Sequence, residues 1–130
     1  MQDHINKYIE NDEYAKSLGI EFKEVEKEFA RCELEICNRH RNAIGSLHGA
    51  VIFSLADVAF GAACNTIYTS IGMQAEIKYL NKPKGNRLIA EAKLISGSRK
   101  IGNYTVNIND NEGNLVAQMS SICYRLPRDD

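Results

Sequence analysis

"RNAIGSLHGAVIFSLADVAFGAACNT", residues 41–66, is the stretch whose reading decides the fold. It runs small and apolar with the length and spacing of a buried helix, yet carries one carboxylate, Asp57, near its middle. Between Asn42 and Ala75 there is no other Lys, Arg, Asp or Glu. From His48 to about Thr69 the large apolar residues Val51, Ile52, Phe53, Leu55, Val58, Phe60 and Ile67 fall all round a helical wheel, with Ala and Gly between them. That pattern predicts a long central helix over residues 48–69, buried on every side. A membrane span is a poor fit, because the apolar run is short and Asp57 at its centre would cost about 3 kcal/mol. Other elements of the chain must therefore wrap the helix.

The flanking sequence supplies that wrapping. Ile5, Tyr8, Ile9, Ala15 and Leu18 follow helical spacing up to Gly19, a natural C-cap, so residues 1–18 are expected to form a lead-in helix. "IEFKEVEKEFARCELEI" alternates at period two, with Ala30, Cys32, Leu34 and Ile36 on one face, and reads as two antiparallel strands turning near Lys27. After the helix come "MQAEIKYLNKP", "NRLIAEAKLIS", "NYTVNIND" and "NLVAQMSSICYRL", separated by "PKGN", "GSRKIG" and "DNEG" turns and expected to form a meander of four strands. The order argues an α+β chain, one domain over residues 1–130, in which an antiparallel sheet of five to six strands wraps the long helix. Only the tail "LPRDD" looks loose.

Composition narrows the function classes. The 130 residues are 44% hydrophobic and 25% charged, enough for one real core. A net charge of −1 offers no basic stripe, so a nucleic-acid partner is not expected. The polar start "MQDHINKYIENDEYAK" lacks the pattern of a secretory signal, and a cytoplasmic protein is expected. Cys32, Cys37, Cys64 and Cys123 form no CxxC and read as reduced thiols at half-buried positions. His4, His40 and His48 show no ligand spacing, so neither metal nor cofactor is expected.

The chemistry centres on Asp57. An unpaired buried carboxylate is expensive, and it stands either as a buried group satisfied by a nearby donor or as a base or nucleophile in a dry cleft. Gly49 falls in the expected first turn of the helix, where backbone N–H groups lack intrahelical acceptors and the helix dipole is positive. A residue without a side chain there lets a substrate carbonyl approach the amide, as stabilising an oxyanion requires, although a glycine needed only for the turn would look the same. His48 could donate to that carbonyl or brace the "NAIGS" loop. Asp57 lies eight residues past Gly49, about 12 Å along a helix, so one reacting carbon cannot touch both. If both serve one substrate, each site combines two subunits, and a two-fold dimer with antiparallel helices provides two such sites.

A sheet curled round one apolar helix is the hotdog architecture, and "HRNAIGSLHGAVIFSLAD" resembles the H-x-N-x-x-G-x-x-H-G-G…D signature of phenylacetate-degradation-type hotdog thioesterases. The resemblance spans the chain in length and element order, with its sharp part at residues 40–65. It implies acyl-CoA thioester hydrolysis to free acid and coenzyme A, without cofactor or metal, by homodimers that often pair into homotetramers. It implies that Asp57 attacks the carbonyl or activates a water, that the Gly49 amide polarises the carbonyl, and that Asn42 holds the water or the loop. Gly45 matches the family's loop glycine, whereas the second glycine after the histidine is Ala50 here, which sets a methyl near the acyl channel. Relatives place a hydroxyl residue in the next strand; Gly72 falls near that point, with Thr69 and Ser70 close by.

Secondary candidates for substrate contact are Ala50, Phe53 and Phe60 for the acyl group, and Arg99 and Lys100 in the "GSRKIG" turn for the phosphates of coenzyme A. A serine-nucleophile elbow is absent, since "GSLHG" places its serine wrongly. The competing class is a non-catalytic hotdog module that binds acyl-CoA to sense it. Asp57 counts against that alternative, and against a purely structural oligomerisation domain.

Overall fold

Period-two alternation builds the sheet as expected. In the computed structural model, which describes residues 2–127, β1 (Glu21–Glu26) and β2 (Phe29–Glu35) pair antiparallel across a tight turn where Glu28 takes a φ of 55°. Residues 128–130 of the "LPRDD" tail lie outside the described residues. Ala30, Cys32 and Leu34 point inward and are fully buried. Their register continues through β4 (Arg87–Gly97), β5 (Ile101–Asp110) and β6 (Leu115–Arg125), so that Cys32, Ala90, Ile108 and Ala117 form one inward row. The many small residues on this face let a helix lie close to the sheet.

That helix is α3 (Gly49–Cys64), which touches all six strands. It stops five residues short of the expected Thr69. Asn65 caps it, with Nδ2 donating to the Gly61 carbonyl at 2.9 Å and Oδ1 accepting from the Ser70 amide at 2.9 Å. The Thr66 hydroxyl donates to the Ala63 carbonyl and accepts from the Glu28 amide at 2.8 Å, fastening the helix end to the β1–β2 turn. Side chains that bond backbone groups in this way compete with further helical turns.

Three further expectations are corrected. The lead-in segment is two helices, α1 (Gln2–Glu10) and α2 (Glu13–Leu18), because Asp12 breaks the run and caps α2 by accepting from the Ala15 amide at 2.9 Å. Gly19 closes α2 in the left-handed conformation, as its sequence position suggests. The four later strands are not one meander. The sheet order is β1-β2-β4-β5-β6-β3, so β3 (Ser70–Tyr79) leaves the helix at the far edge and pairs with β6, and only β4, β5 and β6 run consecutively. The helix carries the chain across the sheet, and the Asn65 to Ser70 bond sets down β3 where it ends. Finally, α3 is not buried on every side. Ala50, Phe53, Asp57 and Gly61, spaced as one helical stripe, remain open to different degrees, and Asp57 itself is exposed.

The cysteines are free, with Cys32, Cys64 and Cys123 buried and Cys37 exposed. No helix among the described residues is long and apolar enough to cross a membrane.

Candidate active site

The N-terminal end of α3 is built by its own loop. Asn42 accepts from the Ile44 and Ser46 amides at 3.1 and 3.0 Å, and Gly45 turns the loop at a φ of 83°. His40 is fully buried; the Cys37 amide donates to its Nδ1 at 3.0 Å, which leaves Nε2–H to donate to the Leu18 carbonyl at 2.8 Å. This neutral ring clamps the loop to the end of α2. His48 is the N-cap, and its Nδ1 accepts from the Ala50 amide at 3.0 Å. The Val51 and Ile52 amides bond the His48 carbonyl. Among the described residues the Gly49 N–H is thus the first-turn donor left without a partner. With Nδ1 accepting, a neutral His48 ring carries its proton on Nε2.

Gly49 opens into a cleft of about 580 Å³ that is also lined by Arg41, Ser46, Tyr79 and Lys82. A Cβ at Gly49 would meet the Tyr79 ring at 3.6 Å, so this ring flanks the side-chain position that the glycine leaves open. Asp57 faces a different cleft, about 480 Å³, lined among others by Tyr8, Phe60, Cys64 and Gly72. Partial desolvation, followed by the nearby negative charge of Asp12, raises the Asp57 pKa above the ordinary carboxylate value. The two clefts share no lining residue, and one helix spaces their key groups about 12 Å apart.

Two groups of comparisons bear on this arrangement. A family described as a domain of unknown function, DUF4442, matches residues 8–124. The acyl-coenzyme A thioesterase PaaI of Escherichia coli strain K12 is 30% identical over 119 residues, covering 90% of this chain and 85% of that protein. The chain belongs to the DUF4442 family and is a hotdog thioesterase. The solved structure of the E. coli PaaI protein from the phenylacetic acid degradation operon superposes with a TM-score of 0.91 at 27% identity, covering 97% of this chain and 93% of that one. A mutant of the phenylacetic acid degradation protein PaaI of Thermus thermophilus gives 0.84 at 27% identity, covering 88% and 100%.

Within this hotdog thioesterase the candidates divide. Asp57 and Phe60 share one cleft; Gly49 lines the other, with His48 capping the same helix end. Asn42 lines neither, and its carbonyl oxygen is spent on the loop. Phe60 is buried with its ring edge-on to Tyr104 at 5.6 Å, while Ala50 and Phe53 sit on the open stripe of α3. Arg99 and Lys100 line a third cleft with Tyr68, Tyr124 and Arg125, which shares no residue with the other two. Asn65 is structural, as its bonds to both flanking segments require.

Sequence reasoning misses Arg41 and Tyr79 beside Gly49, and Tyr8 beside Asp57. Arg41 stands inside the signature stretch itself, next to Asn42, whereas Tyr79 and Tyr8 give no signal in the sequence, since only the crossover of β3 and the docking of α1 bring them to the helix. Lys82 stands near Lys84 and Arg87 in the sequence, but Arg87 is engaged by Glu33 at 2.8 Å and Glu21 at 2.5 Å.

Proposed function

We propose that this enzyme hydrolyses acyl-CoA thioesters to a free carboxylic acid and coenzyme A, with each site shared between two subunits. The observation that carries the reading is the separation of an unpartnered Gly49 amide and the Asp57 carboxylate into two clefts at opposite parts of one helix. In a two-fold dimer with antiparallel α3 helices, the open stripe of one helix meets that of its partner, and each Asp57 approaches the other subunit's helix N-terminus. The exposed edge strand β3, with Ile71 and Met73 outward, supports such pairing, because an unpaired apolar edge is otherwise a liability. We read residues 1–130 as one domain acting in the cytosol, its dimers pairing into tetramers.

The Gly49 amide polarises the thioester carbonyl and holds the oxyanion that forms. Asp57 takes a proton from a water, whose oxygen attacks the thioester carbon. The C–S bond then breaks, the sulfur leaves as a thiolate, and the proton passes to it. His48, positioned by its bond to Ala50, presents Nε2–H at the same helix end. Asn42 acts on this chemistry by holding the loop. Arg41 and Lys82 bring positive charge to the Gly49 cleft, where the phosphates of coenzyme A can use it.

Thiol release from a panel of acyl-CoAs, measured for the wild type beside Asp57→Asn at matched oligomeric state, tests the proposal. Loss of a hundredfold or more, about 2.7 kcal/mol at the barrier, is expected. If neither protein releases thiol while both bind an acyl-CoA, the sensing module is the better reading.

A further inference from the structure

Nothing above assigns a role to α1, although Tyr8 reaches the Asp57 cleft from it. A Cβ on Gly61 would collide with the Tyr8 hydroxyl and meet the ring carbon that bears it at 3.5 Å, so the outer end of this side chain occupies the space that a side chain at Gly61 would need. Gly61 lies four residues past Asp57 on the same open stripe, about 6 Å further along the helix. Phe60 and Gly72 make a similar arrangement opposite, a Cβ at Gly72 meeting the Phe60 ring at 3.2 Å. Two glycines therefore give their space to two aromatic side chains that line one cleft.

The direction of the substrate follows from the reading above, on which this inference rests. The thioester carbon lies beside Asp57, and the long polar arm of coenzyme A leaves toward the partner's Gly49 cleft and its cations. The acyl group is left with the inner part of the Asp57 cleft, toward Phe60, Gly61 and Cys64. We propose that Tyr8, seated on Gly61, is the stop of this acyl pocket and a specificity-determining residue that limits the chain to about 6 Å beyond the reacting carbon. Burial, then the negative charges near it, push the phenol well above its ordinary pKa, so the ring acts as a neutral wall. Ile5 is a buried side chain of α1.

The test is a straight-chain acyl-CoA series from two to twelve carbons with wild type, Tyr8→Phe, Tyr8→Ala and Gly61→Ala. In Tyr8→Ala the ratio of kcat/KM for long over short chains is expected to rise about tenfold or more. Tyr8→Phe, which keeps the ring, should leave the ratio within about threefold of wild type on the same scale. Gly61→Ala, which displaces the ring without removing it, should shift the ratio as Tyr8→Ala does, and provides the test if that variant does not fold. A ratio unchanged in both Tyr8→Ala and Gly61→Ala, even with overall activity lowered, overturns the proposal. If the wild type hydrolyses no member of the series, the thioesterase reading fails separately. The same ratio is then taken from the affinities of S-alkyl-CoA thioethers, where a shift supports the role of Tyr8 and no shift overturns it.

Discussion

Two inactive chains should restore each other if the active site is shared. The first is Asp57→Asn. The second is Gly49→Pro, which removes the amide proton that we propose binds the oxyanion and adds a ring whose Cβ meets Tyr79 at an ordinary 3.6 Å contact. The local structure suits this change: Gly49 is the first residue of α3, where proline is tolerated, and His48 already has φ −70° and ψ 130°, as a residue before proline prefers. The Gly49 N–H bonds no described residue, so no internal hydrogen bond is lost, and folding should be near wild type. Loss of one oxyanion donor should cost about 10² to 10³ in kcat, or about 2.7 to 4 kcal/mol. When the two chains are co-expressed at equal levels with different tags, random pairing makes about half of the dimers mixed, and in each mixed dimer one of two sites is intact. Thiol release by the mixture should therefore reach about one quarter of the wild-type rate, and about one half in purified mixed dimers. Activity in the mixed dimers no greater than the mean of the two parents would refute the shared site.

Four further outcomes follow from the surroundings of Asp57, Asp110 and Glu28. Because the Asp57 pKa is raised and its ionised form is the base we propose, the acid limb of kcat/KM should lie above the ordinary carboxylate range. The same shift means the native state holds that proton to higher pH than the unfolded chain; stability from this group is lost as pH rises through the folded pKa, so Asp57→Asn should unfold no more easily than wild type at neutral pH in a thermal melt. Asp110 is the opposite case: burial alone would raise its pKa, but donors from Asn114, Lys84 and Gly85 outweigh that and hold it below the carboxylate range. Its contribution is present above the unfolded pKa and lost as pH falls, so Asp110→Asn should lower the melting temperature at pH 7 and lose that deficit in acid. Glu28→Gln should destabilise by about 2 kcal/mol in urea unfolding, since Glu28 pairs the buried Arg125 at 2.7 Å, while the Tyr68 ring at 4.3 Å remains. A loss no larger than that of an exposed pair would refute the importance of this contact.

The parts legible in the sequence were those where one residue's surroundings follow from its neighbours in the chain. Alternation in β2 put Ala30, Cys32 and Leu34 inside, and the apolar run after His48 announced α3. Gly19 and Gly45 marked backbone turns that the structure contains. Errors arose where a distant contact competed with local pattern. Thr66 ends the helix because the Glu28 amide, 38 residues away, is there to bond it. The break between α1 and α2 had a local sign, the capping Asp12, which the apolar spacing hid.

The signature around Asp57 was readable because the glycine at the helix start and the carboxylate two turns on, to which we assign the chemistry, are fixed by spacings that are local in the chain. By itself the sequence determined the α+β class, the central helix and the distance that separates Gly49 from Asp57, since a helix has one rise per residue. Only the tertiary structure decided which side of that helix stays open, because the stripe of Asp57 and Gly61 is defined by what the sheet and α2 leave uncovered. It also decided that β3 crosses to the sheet edge and that Tyr8 lines the Asp57 cleft. Packing over long sequence separations sets these features, and no periodicity in the chain encodes which surface a distant segment will choose.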